Sequence, residues 1–248
     1  MAQRKGDSVS ICCAPDKHTI YGEYFPSRFR QVGTQSRLDQ LLTNMKGSAV
    51  QILDLRGAMI SAKAKGQLYF KTDTHWNSYG GAIAQYEIMQ CFSDRFPSVQ
   101  PIRYGPEDFA WMREGDAVAA GAMFFWTDNR AGDIANMLNL AHVLKEEMYP
   151  ILQRPLRQYS TQYFGQPNLS ATFLTSGPRG APRAIIFRDS FFMAVAPYTS
   201  QYFSKCLYVW RDLEMGILEP LVKQFSPDIV IDERAERMLP RVPPAFRP

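Results

Sequence analysis

The sequence predicts an α/β fold, a three-layer sandwich in which a mainly parallel sheet lies between helices. Segments with helical spacing separate most of the strand-like segments. A chain that alternates strands with helices in this way typically builds a parallel sheet. The length of 248 residues favours one main domain spanning 1–248. The predicted strands are short apolar runs at residues 8–14, 50–55, 184–187, 206–210 and 228–231.

The first half of the chain supplies the first strand, helix, strand unit. Residues 8–14 form a buried strand that stops at Pro15, and residues 36–46 form a helix with Ser36 as its N-cap. The apolar residues of this helix recur every three or four positions, which places them on one face. Val50 to Leu55 is the second strand, and a short helix follows it.

The strongest helical signal starts after Asn77 and extends to Phe96, where apolar residues again recur every three or four positions. From 97 to 183 the pattern weakens, so we expect an irregular insertion that acts as a lid or faces the substrate. Within it, the GDIANML segment predicts a helical turn, residues 135–148 a helix, and residues 153–173 a strand-like alternation. The regular pattern then returns, with helices expected near Ser190 and over 213–224.

Charge and cysteine content exclude several kinds of partner. The net charge of +4 comes from 28 basic and 24 acidic residues without a basic stripe, so nucleic acid is not an expected partner. Four cysteines lack zinc-ligand spacing, and each is expected to be a buried thiol. No metal site and no cofactor are predicted.

The chain as given is expected to be soluble. No stretch approaches the roughly 18 apolar residues that a membrane helix requires. The N-terminus also lacks the charged, apolar and small-residue regions of a signal peptide.

Asp73 and His75 are the best candidates for a catalytic base and its orienting carboxylate. In extended backbone, residues two apart point to the same side about 6.5–7 Å from each other, whereas in a helix they could not meet. This interpretation therefore requires residues 72–76 to be non-helical. The alternative is a surface or core histidine that merely bonds to Asp73. Of the other two histidines, His18 follows Asp16 and Lys17 just after a strand end, a position suited to a supporting role, and His142 lies in a predicted helix with no carboxylate placed to orient it.

Ser190, in the sequence FRDSF, is the candidate nucleophile. It lies between a predicted strand and a predicted helix, where α/β enzymes place reactive groups and where free backbone N–H groups can hold an oxyanion. The alternative is a serine that only caps the helix. We expect Ser190, His75 and Asp73 to converge in the folded chain, with hydrogen bonds from His75 to both partners.

Several segments together resemble the SGNH-hydrolase-like family of alginate O-acetyltransferases, of the AlgJ and AlgX type. They are PDKHTIYGEYFP, LYF, KTDTHWN, GDIANML, FRDSF and PDIVIDERAER, and they run from about residue 9 to about residue 239. The resemblance implies an SGNH-hydrolase-like, flavodoxin-like fold. It also implies a periplasmic location, a polysaccharide acceptor, and an acetyl group supplied by a membrane-bound O-acyltransferase partner.

By the same resemblance, Ser190 is the nucleophile, His75 the general base and Asp73 its orienter. The Asp-x-His motif precedes the serine, as in this family, whereas in ordinary SGNH esterases it follows. The backbone N–H of Ser190 is the expected oxyanion donor. Arg188 is expected to bind a substrate carboxylate or, preferably, to pair with Asp189. Three further candidates for oxyanion or substrate binding are Asn77, Lys17 and Tyr21.

Two other functions remain open at this stage. A carbohydrate esterase would use the same three residues and pass the acyl group to water, because the difference lies only in whether the acceptor cleft excludes water. A catalytically silent carbohydrate-binding module would use aromatic side chains instead. Its candidates are Trp111, Phe124, Phe125, Trp126, Tyr159, Tyr163 and Phe164.

Overall fold

A computed structural model of the chain describes residues 9–119, 132–163 and 172–240. Within these residues every predicted core strand is present, with shifts of up to four residues at its ends. The nine strands are β1 (Val9–Ala14), β2 (Gln51–Asp54), β3 (Phe109–Met112), β4 (Tyr149–Leu152), β5 (Ser160–Tyr163), β6 (Phe173–Ser176), β7 (Arg183–Phe187), β8 (Lys205–Val209) and β9 (Ile229–Ala235).

The described part of the chain also contains helices, which lie between these strands in the sequence. They are α1 (Lys17–Ile20), α2 (Arg37–Asn44), α3 (Arg56–Lys63), α4 (Ser78–Ser93), α5 (Glu114–Ala119), α6 (Asp133–Met137), α7 (Ala196–Ser200) and α8 (Met215–Phe225). Ser36 caps α2 through a reciprocal pair of bonds with Asp39, as its sequence predicts. Asn77 caps α4 by accepting a hydrogen bond from the Gly80 N–H.

The main sheet has the strand order β2-β1-β9-β7-β8-β6-β5. The first five of these strands pair in parallel, β6 pairs antiparallel with β8, and β5 pairs antiparallel with β6 at the edge of the sheet. The last strand of the chain, β9, therefore lies between β1 and β7. The carboxyl ends of β1, β7 and β9 meet at one edge, which is where α/β sheets bind ligands.

Both faces of the sheet are covered, which confirms the predicted three-layer α/β fold. Strand β7 illustrates this arrangement, because its successive side chains point alternately into two hydrophobic cores, one on each face of the sheet. Ala184 and Ile186 belong to the larger core, which includes residues of α3, α4 and α7. Ile185 and Phe187 point to the opposite face and pack with Leu218 of α8. Cys12, Cys13 and Cys206 are buried, as predicted, and Cys91 is half-buried.

The insertion at 97–183 is more regular than its sequence predicts. Strands β3 and β4 pair as a separate antiparallel ribbon, and β5 and β6 add two strands to the main sheet. The predicted helical turn in GDIANML is present as α6. Part of this region therefore belongs to the sheet, and its role as a lid stays a prediction. The aromatic residues Phe124 to Trp126 and Phe164 lie outside the described residues.

The predicted helix over 135–148 is wrong, because α6 ends at Met137 and turns follow it. Asn139 adopts a left-handed conformation with φ of 56°. The N–H of Leu140 then bonds back to the carbonyl of Ala135 at 2.8 Å, which is how helices commonly end. His142 is consequently in a turn. No helix among the described residues combines the length and the apolar character needed to cross a bilayer.

Candidate active site

Three side chains predicted from the sequence meet at the carboxyl edge of the sheet. His75 Nδ1 lies 2.6 Å from Asp73 Oδ1, and His75 Nε2 lies 2.7 Å from Ser190 Oγ. Asp73 is buried, whereas the His75 side chain is 12% exposed and Ser190 is half-buried. The serine and the imidazole are therefore reachable from solvent, and the carboxylate behind them is not.

The turn that carries Asp73 and His75 is non-helical, as their interaction requires. Tyr69 and Trp76 form an antiparallel bridge, and the Phe70 N–H donates to the His75 carbonyl at 3.2 Å. The segment LYF thus pairs with HWN, and residues 71–74 form the turn between them. The Asp73 carboxylate accepts from both the backbone N–H and the ring of His75, which fixes the imidazole orientation.

Asp73 is held in its ionised form by its hydrogen bonds. Burial raises the pKa of the Asp73 carboxyl, but the bonds from His75 and from the backbone N–H of Asp133 outweigh burial and hold the pKa below its ordinary value. An ionised carboxylate at Nδ1 leaves Nε2 as the acceptor for the serine proton, which is the arrangement a general base needs.

The nucleophile loop, residues 188–191, follows β7. Ser190 does not cap the following 3-10 turn with its side chain, because its Oγ is directed at His75. Asp189 fulfils the capping role, since its Oδ1 accepts from the Phe191 N–H and its Oδ2 from the Ala235 N–H, both at 2.8 Å. The loop is thereby tied to the end of β9, and Ser190 is released from a structural role.

A buried carboxylate lies behind this loop. Glu233 on β9 accepts a hydrogen bond from the Asp189 N–H at 3.1 Å. Burial, followed by the charge of Asp189, raises the pKa of Glu233 well above its ordinary value. Its second oxygen has no hydrogen-bond partner among the described residues.

Besides the bond between His75 and Ser190, a hydrogen bond of Trp76 connects the histidine turn to the nucleophile loop. Trp76 is fully buried, and its indole N–H donates to the Phe191 carbonyl at 2.7 Å. The Phe191 ring packs against both the His75 ring, at 4.7 Å between centroids, and the Trp76 ring, at 5.2 Å. The residues next to His75 and Ser190 therefore set the distance between them, a role that the sequence analysis did not assign.

Sequence reasoning also missed Asp133, at the start of α6. Its backbone N–H donates to Asp73 Oδ2 at 2.8 Å. Its carboxylate accepts from the backbone N–H and the hydroxyl of Thr74. Asp133 Oδ2 also lies 3.6 Å from His75 Nδ1. The GDIANML segment contained the signal, because a glycine followed by aspartate is typical of a helix start, but nothing local indicated what this start contacts.

Arg188 does not make the predicted pair with the Asp189 side chain. Its guanidinium donates to the backbone carbonyl of Asp189 at 3.1 Å and stacks over the rings of Phe173 and Trp210. Burial lowers the pKa of Arg188 to about 10, so the group stays charged at neutral pH. The Asp189 carboxylate is instead occupied by backbone N–H groups.

The other three binding candidates hold the loops in place. Asn77 is fully buried, and its amide donates to the Gln67 carbonyl while its oxygen caps α4. Lys17 Nζ donates to the carbonyls of residues 70, 71 and 73. Burial lowers the pKa of the Lys17 ammonium group. The Tyr21 hydroxyl accepts from the Leu68 N–H at 3.0 Å.

A cavity of about 1330 Å³ adjoins the histidine turn. Thr74, Asp133 and Arg237 form its border toward the turn. Aromatic and basic side chains form much of the remaining wall, namely His18, Tyr21, Tyr24, Phe25, Tyr69, Lys17, Lys63, Lys65 and Lys71. Tyr21 and Lys17 therefore face this space as well as holding the loops, and it is large enough for sugar rings.

One group among the described residues has metal-binding atoms close together. The ligand atoms of Asp73, His75 and Asp133 lie within 4.8 Å of one another. The hydrogen bonds that join Asp73 to His75 and Asp133 to Thr74 account for this proximity without an ion. The absence of a metal from the reaction stays a prediction.

Comparison with known proteins agrees with this fold. A sequence profile described as "SGNH hydrolase-like domain, acetyltransferase AlgX" matches residues 2–178, which include Asp73, His75 and Asp133 but end before Ser190. A probable alginate O-acetylase AlgJ of Pseudomonas putida is 28% identical over 91 residues. That match covers 37% of this chain and 24% of the relative, so the chain corresponds to about a quarter of that protein.

Solved structures extend the similarity over nearly the whole chain. A DHHW family protein from Eubacterium siraeum superposes with a TM-score of 0.66 at 13% identity, covering 97% of this chain and 81% of that one. The O-acetyltransferase domain of Pseudomonas putida AlgJ superposes with a TM-score of 0.58 at 19% identity, covering 98% and 81%. These likenesses show the fold, and the profile match shows the family. The chain belongs to the AlgX family of SGNH-hydrolase-like acetyltransferase domains.

Proposed function

We propose that this chain is an O-acetyltransferase that moves an acetyl group through Ser190 to hydroxyl groups of a polysaccharide. The observation that carries the proposal is the pair of short contacts of His75, 2.6 Å to Asp73 and 2.7 Å to Ser190. This is the hydrogen-bond order that a serine nucleophile, its base and an orienting carboxylate need. Family membership supports acetyl transfer as the reaction.

In the first step, Ser190 Oγ attacks the carbonyl carbon of an acetyl donor while His75 Nε2 takes the hydroxyl proton. The buried Asp73 carboxylate stabilises the imidazolium that results. The negative charge that develops on the carbonyl oxygen requires a donor nearby. The Ser190 backbone N–H has no acceptor among the described residues, which makes it available for this charge. Collapse of the intermediate releases the deacetylated donor, which takes the proton from His75.

In the second step, a sugar hydroxyl attacks the acetyl-serine. His75 again accepts the proton, the bond between Ser190 Oγ and the acetyl carbon breaks, and the serine regains its proton. Transfer to sugar in place of water requires the acceptor to occupy the approach to Ser190. We assign the acceptor to the cavity beside Thr74 and Arg237, which borders the histidine turn but is not lined by His75 or Ser190. Tyrosine and phenylalanine faces in its wall suit sugar rings, and its lysines suit acidic ones.

Two parts of the proposal concern the setting of the reaction. Family resemblance favours a periplasmic or other extracytoplasmic location. It also favours a membrane-bound O-acyltransferase as the partner that supplies the acetyl group. Co-purification of the chain with such a partner, with and without a polysaccharide, would test this second part directly.

The test uses a chromogenic acetyl ester as donor, with and without an oligosaccharide. We expect Ser190→Ala and His75→Ala to abolish turnover, and mass spectrometry to find acetylated sugar only with the parent protein. Acetate release that sugar leaves unchanged, with no acetylated product, would indicate an esterase. If Ser190→Ala kept full activity or only sugar binding were found, the enzymatic proposal would be rejected.

A further inference from the structure

We propose that Asp133 is a positioning residue of the reaction, which holds Asp73 and the histidine turn in place and adds a second negative charge beside the imidazole. The inference rests on the proposed function of Ser190 and His75. It concerns a residue 58 positions beyond His75 in the sequence, brought to the site by α6.

The first argument is the number of contacts that Asp133 makes with one turn. Its N–H donates to Asp73 Oδ2, so the carboxylate that orients His75 is itself held on its far side. Its own carboxylate accepts from both the N–H and the hydroxyl of Thr74, the residue between Asp73 and His75. In addition, the Ala135 N–H donates to the Thr72 carbonyl at 3.1 Å. The start of α6 therefore fixes three consecutive residues of the turn.

The second argument is electrostatic. Asp133 Oδ2 lies 3.6 Å from His75 Nδ1, so the ring has two carboxylates near the same nitrogen. When the ring accepts the serine proton, both carboxylates stabilise the positive charge. The Asp133 side chain is 27% exposed, so solvent weakens its contribution compared with that of the buried Asp73.

Other charged groups around the turn also have hydrogen-bond partners, and among them the Glu146 carboxylate accepts from the backbone N–H and the hydroxyl of Thr72. Lys17 from α1 donates to the carbonyls of residues 70, 71 and 73. Arg237, from the 3-10 turn after β9, bonds to Asp16 at 2.6 Å and lies 3.4 Å from the Thr74 hydroxyl. Among the described residues, neither cation forms a salt bridge with Asp133, although Lys17 lies close enough to interact with the charges of Asp73 and Asp133.

The test measures how fast Ser190 reacts with phenylmethanesulfonyl fluoride, followed by intact mass as a function of pH. In this reaction the serine oxygen bonds to sulfur, fluoride leaves, and His75 takes the proton, so the rate reports the activated serine without donor or acceptor. Asp133→Asn removes the charge at nearly constant shape, and Asp133→Glu keeps the charge but displaces it. Asp108→Asn is the matched control, because Asp108 also accepts from a backbone N–H, of Gly105, but has no contact with the turn.

We expect Asp133→Asn to slow labelling by roughly 10-fold. This loss is smaller than the whole rate enhancement that a general base supplies, because His75 is still present. The midpoint of its acid limb should move to lower pH by roughly half a unit to one unit, because a lone carboxylate stabilises the imidazolium less. Asp133→Glu should be slowed but keep the parent midpoint, and Asp108→Asn should match the parent. Thermal unfolding of each variant checks that it is folded.

A slowed Asp133→Asn with an unmoved midpoint would overturn the electrostatic part of the proposal. Parent-like rates in both Asp133 variants would overturn it entirely, and if Asp133→Asn did not fold, a parent-like rate in Asp133→Glu would do the same. These results differ from a failure of the proposed function. Ser190 labelled in the parent without any acetyl transfer would reject that function alone, whereas an unlabelled parent would reject both.

Discussion

Replacing Gly132 with alanine is expected to separate the start of α6 from the histidine turn. A Cβ atom at this position would lie 2.3 Å from the Thr72 carbonyl oxygen and 2.6 Å from the Asp73 Cβ. The backbone of Gly132 has φ of −63° and ψ of 165°, which alanine adopts freely, so the whole cost is steric. Both neighbours must move by about 1 Å to restore ordinary contact.

Overpacking of this kind costs about 1–3 kcal/mol, which corresponds to a fall in Tm of roughly 2–12 °C for a chain of this size. The same movement lengthens the bond from the Asp133 N–H to Asp73, so we expect turnover of a chromogenic acetyl ester to fall by roughly 10-fold or more. Differential scanning fluorimetry and the ester assay measure the two effects on one preparation.

Gly57→Ala is the matched control, because Gly57 lies inside α3 and an added Cβ meets nothing within 4 Å. Alanine is favoured over glycine in a helix by about 0.5–1 kcal/mol, so this variant should be slightly more stable and fully active. A Gly132→Ala protein with parent Tm and parent turnover would refute the close packing of α6 on the turn.

Three further changes test the framework of the site. Trp76→Phe removes the donor to the buried Phe191 carbonyl and should cost about 1–3 kcal/mol in urea unfolding, with a parallel loss of ester turnover. In Asp189→Asn one of the two accepting carboxylate oxygens becomes an NH2 group, which cannot accept a hydrogen bond. Either the bond from the Phe191 N–H or the bond from the Ala235 N–H is then lost, and a destabilisation of similar size is expected. Glu233 has a raised pKa in the folded state, so the folded chain binds more protons than the unfolded chain above the ordinary glutamate value of 4.5. Its contribution to stability is then fully present below pH 4.5 and lost as pH rises toward the folded-state pKa, so Glu233→Gln should flatten the fall in unfolding free energy above pH 4.5.

Opposite results would be informative for each change. Unaltered turnover in Trp76→Phe would mean that the two loops keep their distance without this bond. A fully stable Asp189→Asn would mean that one backbone acceptor suffices for the nucleophile loop. A Glu233→Gln protein with the parent pH dependence would mean that another group titrates in that range.

The regular core and the two reactive segments could be predicted because their signals are local. Apolar runs of four to seven residues produced β1, β7 and β9, and the Asp-x-His spacing required the extended turn that the structure contains. Ser190 was proposed as the nucleophile from its position after β7, and the structure places it within hydrogen-bond distance of His75. Each of these inferences needed only neighbouring residues and the period of the element.

The missed features depend on contacts between distant residues. Asp133 reaches Asp73 across 60 positions from a helix of only five residues, too short to show a periodic pattern. Strands β3 and β4 have only four residues each, and neither alternates between buried and exposed positions, so nothing marked them as half-buried strands. The helix predicted over 135–148 had suitable apolar spacing, but Asn139 ends it through a left-handed conformation that spacing does not encode.

The carbonyl oxygens around Lys17 have a consequence of their own. Three of them, from residues 70, 71 and 73, lie 2.7, 2.9 and 3.1 Å from one ammonium nitrogen. Three carbonyl oxygens in this arrangement coordinate a monovalent cation much as water molecules do. The ammonium group of Lys17 is therefore bound like an ammonium ion that is attached to the chain. A shortened residue at position 17 would leave an opening of that size. Free ammonium chloride, but not tetramethylammonium, is then expected to restore the turn by occupying it.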